Sequence, residues 1–263
     1  MTEQTPLDLA HAAMIADESD DAARLRFYER LADSELFLLL TEEPVNENVS
    51  PEVFEVEDTG FVLVFDREER LADFVGKSAP YAALSGRIIA SLLAQQGMGL
   101  GLNLEVAPSS ILIPPQAIGW LHDTLGNAPD ETEAKIQDVM PPVGMPENLL
   151  SALDAKLTTA AGLAHSAYLV GVIYENGIRT HLLAFVDAIP GAEGALAKAV
   201  SEALVFSGIE AGALDVSFVR ASDAMAATLA KWGLHFELPQ PQEAQELGRA
   251  APGSDPAKPP ILR

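Results

Sequence analysis

The chain has no cysteine, which excludes a disulfide framework, a thiol nucleophile and thiolate metal ligation. It also lacks any apolar run of the roughly 18 to 20 residues that a membrane-spanning helix requires. The opening MTEQTPLDLAHAAM has neither the basic start nor the apolar block of a secretory signal. These absences make the cytoplasm the expected location. Basic residues are scarce too: 16 Lys and Arg face 39 Asp and Glu, a formal net charge of −23 concentrated in the first half of the chain. Such a surface repels phosphate backbones and anionic headgroups, so no nucleic acid and no membrane is expected as a partner.

What is present is apolar material. At 48% hydrophobic and 21% charged residues, a chain of 263 residues buries substantial cores and suits two domains of ordinary size. The run GNAPDETEAKIQDVMPPVGMP is rich in proline and charge and has no sustained apolar period, so it reads as a linker. The organisation expected is a first domain at residues 1–125, a linker at 126–145, a second domain at 146–239 and a mobile Pro-, Gly- and Ala-rich tail at 240–263. The expected fold class is α+β, each domain a mostly antiparallel or mixed sheet packed with helices.

In the first domain, Leu25, Tyr28 and Leu31 form a helical stripe with Asp20 or Asp21 placed to cap it. ELFLLL reads as a buried strand. VFEVE and FVLVF read as a hairpin closed by the three-residue connection Asp58-Thr59-Gly60. REERLADF suits a short helix. From Ser85, SGRIIASLLAQQ places Ile88, Ile89, Leu92 and Leu93 on one helical face, ended by Gly97.

The following stretch, GMGLGLNLE, spaces Gly97, Gly99 and Gly101 two apart and invites a phosphate-binding reading. The order of elements argues against it. A dinucleotide or P-loop glycine run leaves a strand and enters a helix, so that free N–H groups point at phosphate. Here Gly97 leaves a helix, and no Lys-Ser or Lys-Thr pair follows. Gly97 is instead expected as a C-cap, with Gly99 and Gly101 on one face of a strand closely approached by another backbone. No cofactor is expected.

RFYERLADSELFLLL, FVLVFDREERLADF, YAALSGRIIASLLAQQGMGLGLNL and ILIPPQAIGWL, in that order, resemble the N-terminal domain of the SseB family, bacterial proteins named for enhanced serine sensitivity. PENLLSALDAKL, the hairpin AYLVGVIYENGIRTHLLAFVD and LDVSFV are similar to the family's C-terminal domain. The sequence departs from the family pattern after Asn103, where Leu104 and Glu105 replace the Pro-Gly that the resemblance leads one to expect, and in the final strand LHFEL. The resemblance implies an architecture and no catalytic residues, because serine sensitivity is a cellular phenotype.

The residues themselves point to no catalytic or metal site. His11, His122, His165, His181 and His235 include no i, i+4 pair. His165 and Ser166 are strand neighbours that point to opposite faces, and there is no G-x-S-x-G elbow. Asp17, Glu18, Asp20 and Asp21 lack the alternating ligands and central glycine of a calcium loop. Two functions remain: a non-catalytic binding or regulatory protein, or a hydrolase or transferase of amino-acid metabolism using an inter-domain site with Asn103, Tyr174, Arg179 and His181.

Asn176-Gly177 suggests a two-residue turn in the second domain. That turn would pair Tyr174 with Arg179, Val172 with His181, Val170 with Leu183 and Tyr168 with Phe185, all on one face. Three or so helices would leave this face free of its own domain, making these eight residues candidates for an inter-domain or homodimer contact or for another protein partner.

Overall fold

A computed structural model of the chain describes residues 4–44, 49–127, 129, 132–209 and 214–240; the tail beyond Gln240 lies outside them. Among the described residues, eight helices and eleven strands form two separate sheets in an α+β, two-domain arrangement.

The first sheet has the order β4-β1-β3-β5-β6, with β2 also on β3. Its strands are β1 (Glu35–Leu39), β2 (Val53–Val56), β3 (Thr59–Phe65), β4 (Tyr81–Ser85), β5 (Gly99–Leu102) and β6 (Ile111–Ile113). Helices α1 (Pro6–Ala16), α2 (Asp21–Asp33), α4 (Gly86–Gln96) and α5 (Pro115–Gly126) cover one face around Phe27, Leu36, Val62, Ile89 and Ile118, and α3 (Glu68–Val75) covers the other around Phe65 and Leu71. Asp20 caps α2 by accepting from the Ala23 amide. α1 is founded on Thr5, whose hydroxyl accepts from Asp8 N–H while the Asp8 carboxylate accepts from Thr5 N–H, with Pro6 at the first helical position.

Two details of the first hairpin and helix differ from the sequence reading. Val56 pairs with Thr59, so the turn is the two residues Glu57 and Asp58, both at positive φ, and Gly60 is a strand residue. Aspartate tolerates the left-handed region better than most residues, which suits Asp58; nothing in the structure explains the same conformation at Glu57. On α4, Ile89 and Leu93 are buried, whereas Ile88 is 50% and Leu92 36% exposed.

Gly97 is a left-handed C-cap whose N–H bonds to the last carbonyls of α4. Gly99 and Gly101 are strand residues buried beside β3 and β6. A Cβ at Gly99 would lie 2.3 Å from the Phe61 ring and 2.8 Å from the Ile113 carbonyl oxygen. The expected approach by another backbone holds only at Gly99, through the Ile113 carbonyl; the nearest groups at both glycines are side chains, the Phe61 ring at Gly99 and Leu104 and Phe54 at Gly101.

The second sheet has the order β10-β9-β8-β11, with β7 also on β8. It comprises β7 (Ile136–Met140), β8 (Ser166–Tyr174), β9 (Arg179–Val186), β10 (Leu214–Val219) and β11 (Leu234–Glu237). β7 falls within the stretch read as a linker: part of it is a sheet strand. Helices α6 (Glu147–Thr159) and α7 (Glu193–Phe206) pack on one face around Leu153, Leu169, Leu183, Phe185 and Leu196, and α8 (Ala224–Trp232) packs on the other through Leu229 and Met225.

This domain corrects the proposed register. Tyr174 N–H donates to Ile178 O and Gly177 N–H donates to Tyr174 O, giving a three-residue loop of Glu175, Asn176 and Gly177, with Gly177 at φ 82°. The extra residue shifts β9 by one. Val172 now faces Thr180, Gly171 faces His181, Val170 faces Leu182 and Ala167 faces Phe185. A one-residue slip exchanges the two faces of a strand. Tyr168, Val170, Val172 and Tyr174 therefore point toward α8, while Arg179, His181, Leu183 and Phe185 lie on the other face.

Candidate functional site

The polar groups that burial could prime for chemistry fall into two networks. The first joins α1, the end of β3, α3 and the loop after β5. Arg70 is its centre, with a side chain 5% exposed between Asp8 at 0% and Asp66 at 4%. Its Nη1 donates to Asp8 Oδ1 at 3.0 Å and to Asp66 Oδ1 at 2.8 Å. The Thr5 hydroxyl donates to Asp66 Oδ2 at 2.6 Å. The Ser109 hydroxyl donates to Asp8 Oδ1 and accepts from Asn103 Nδ2.

Asn103 closes the network. It is fully buried, with φ at 49°, and its Oδ1 accepts from the Asp66 amide at 3.1 Å. Asparagine suits that left-handed position because its short amide bonds to nearby backbone. Burial would raise the Asp8 carboxyl, but hydrogen bonds from Arg70, Ser109 and Thr5 outweigh it and hold the group far below the usual carboxylate range. Burial would lower Arg70, yet its two aspartates keep it above its ordinary value. The result is a guanidinium held between two carboxyl groups whose oxygens are already bonded. A shallow pocket of about 320 Å³ opens beside the network, lined by Thr5, Ser34, Glu35, Phe37, Asp66 and Arg67 among others.

The second network lies where the two domains meet. Arg87 on α4 donates to Glu202 on α7 at 2.7 Å from both Nη atoms and to Asp33 on α2 through Nε at 3.1 Å. Lys156 on α6 reaches Asp33 at 2.7 Å, Glu202 at 3.2 Å and Glu29 at 3.4 Å. Next to it, Phe206 from the second domain packs within the first domain's core, its ring edge-on to Trp120 at 6.3 Å.

The residues singled out from sequence are not gathered by either network as a group. Asn103 belongs to the first. Tyr174 donates its hydroxyl to Asp215 Oδ2 at 2.7 Å, and burial together with that carboxylate pushes the phenol well above its usual range. His181 Nε2 lies 3.0 Å from Val143 O, and Arg179 is exposed. Val170, Val172, Leu183 and Phe185 are at most 1% exposed and serve the second domain's own core, so the shared face proposed for the eight residues does not exist. α8 covers what three helices were expected to leave open.

Among the described residues no group of three or more His, Asp or Glu is placed to hold a metal ion, and no helix is long and apolar enough to cross a membrane. His11 is buried with its Nδ1 unpartnered, and burial lowers its pKa. A second pocket of about 400 Å³, lined by Pro142, Met145, Leu150, Leu169, Trp232 and Leu234 among others, lies in the second domain.

Sequence reasoning missed Arg70, Arg87 and Lys156. For Arg70 and Lys156 no local signal exists, because a charged residue in an amphipathic helix ordinarily faces water. The Thr5-x-x-Asp8 pattern with Pro6 was readable as a helix start.

Residues 9–120 match the family model for the SseB protein N-terminal domain. No curated protein and no solved structure shows a significant match to the chain.

Proposed function

Because residues 9–120 match the family model for the SseB protein N-terminal domain, we propose that the chain acts as a non-catalytic binding or regulatory protein, with a second domain of the family's C-terminal type. One observation carries this reading: four of the five carboxylates in the two networks, Asp8, Asp66, Asp33 and Glu202, are each held by the networks' own cations. A general base needs a free lone pair within reach of substrate, and a nucleophile needs a base beside it. Asp8, Asp66, Asp33 and Glu202 instead commit their oxygens to Arg70, Arg87 and Lys156. These interactions hold elements and domains in place, which favours presentation of a surface over turnover.

The acidic exterior favours a protein or small ligand bearing positive charge over any polyanion. An unbiased metabolite-binding screen, combined with affinity capture and mass spectrometry, tests the reading. Saturable retention of a ligand or protein without chemical change is the expected result. Sustained conversion of a metabolite by the purified chain overturns it.

A further inference from the structure

The cluster between the domains has an uneven charge count. Glu29 and Asp33 come from α2, Arg87 from α4, Lys156 from α6 and Glu202 from α7, so three carboxylates share two cations. Asp33 and Glu202 each engage both cations. Glu29 reaches only Lys156, at the longest distance of the set, 3.4 Å. The side chains of Lys156 and Glu202 are 5% exposed and that of Glu29 is 13%. Arg30, next to Glu29 on α2 and exposed, offsets part of this charge. α1 meets this helix through His11 on Phe27, and α5 meets it through Trp120 on Tyr28.

One negative charge is therefore left over in a place that docking partly shields from water, Asp33 and Arg87 at its rim being 24% and 34% exposed. Separating the domains would return Glu29 to solvent, where ionisation costs nothing extra. We propose that the two domains dock with uptake of one proton at Glu29, making their contact a proton-responsive joint that tightens in mildly acidic conditions. With Glu29 neutral, two cations are matched by Asp33 and Glu202.

The sign follows from the neighbours. Burial raises the Glu29 carboxyl, Lys156 and Arg30 oppose the rise and Asp33 adds to it, for a net upward displacement. The docked form holds the proton at a pH where the separated form has lost it, so docking strengthens as pH falls through the raised value. Asp33 and Glu202 are displaced downward, because Lys156 and Arg87 outweigh their burial. Below the ordinary carboxylate range those two groups are protonated and the contact weakens again. Docking thus has a maximum between the two regimes.

Trp120, edge-on to Phe206 across the joint, supplies the readout. In a Trp232→Phe background it is the remaining tryptophan of the two in the chain, and its fluorescence reports separation during urea titration. The parent's midpoint relative to that of Glu29→Gln is expected to rise as pH falls from neutrality toward the ordinary carboxylate range; taking the difference cancels the acid-sensitive contribution of buried His11, which both proteins share. Adding Glu29→Gln should raise the midpoint at the higher pH and flatten the response, whereas Glu18→Gln, on an exposed residue, should change neither. A response that survives Glu29→Gln unaltered, or a parent midpoint that falls relative to that of Glu29→Gln on acidification, overturns the proposal. Carboxyl carbon NMR of the unsubstituted chain tests the joint independently of any variant: Glu29 must titrate above its ordinary value, and a midpoint at or below that value refutes the joint.

Discussion

Replacing Arg70 with Met keeps the aliphatic stem and deletes the guanidinium, leaving Asp8 and Asp66 facing each other without a cation. Their side chains are 0% and 4% exposed, so water cannot take over the lost role. Breaking a buried ion pair by removing one partner costs about 3–5 kcal/mol, because the remaining charge stays desolvated. Two carboxylates depend on Arg70, which puts the expected loss at the upper part of that range. Domains of this kind are stable by only about 5–15 kcal/mol, so the first domain should be close to its folding threshold.

The assay is urea unfolding at neutral pH followed by circular dichroism, repeated with Asp8→Asn and Asp66→Asn added to Arg70→Met. Neutralising all three members should recover much of the loss, since a buried charge network and a neutral replacement of similar shape differ little in net stability. The pH dependence supplies a second check. Asp8 is held below its ordinary value, so its contribution is complete above the usual carboxylate range and is lost as pH falls below that range toward the lowered value. The gap between parent and Arg70→Met must therefore narrow on acidification. A loss under about 1 kcal/mol at neutral pH, or a gap that widens in acid, would refute the reasoning.

Gly99→Val should destabilise the first domain by about 1–3 kcal/mol in thermal or urea melts, since even its Cβ meets Phe61 and a backbone carbonyl; a neutral result would show that the ring moves aside freely. Val170→Asp places an unpaired charge under Leu229 in a site 0% exposed, and should unfold the second domain at a cost above about 3 kcal/mol. A variant that stays folded and only changes its sedimentation would instead restore the interface reading of that residue. Tyr174→Phe should cost about 1 kcal/mol through loss of the bond to Asp215. In the parent, spectrophotometric titration should find this phenol still protonated after ordinary tyrosines have ionised.

The parts of the molecule legible in the sequence are those set by local chemistry. Asp20 at the start of α2, Ser85 at the start of α4 and Gly97 at its end are readable because capping depends on a few adjacent residues. The glycines of β5 are legible as packing positions for the same reason. The hairpin after β8 shows the limit. Asn176-Gly177 fits either a two-residue turn or the last positions of a three-residue loop, and the choice moves every β9 side chain to the opposite face. The candidate contact face vanishes with that single residue. The buried networks are less legible still, because Asp8 meets Arg70 across 62 positions and Arg87 meets Glu202 across 115. No local pattern encodes such meetings.

Phe206 bears on how the chain is made. It emerges from the ribosome well after residue 120, where the matched N-terminal domain ends, yet its ring fills a place in that domain's core against Trp120. During synthesis the first domain must wait with an open apolar socket until most of the second has been translated. Sequential synthesis would therefore have to bridge an interval in which a nearly finished domain is adhesive, and a truncated first half, however well its own helices form, would carry that socket permanently.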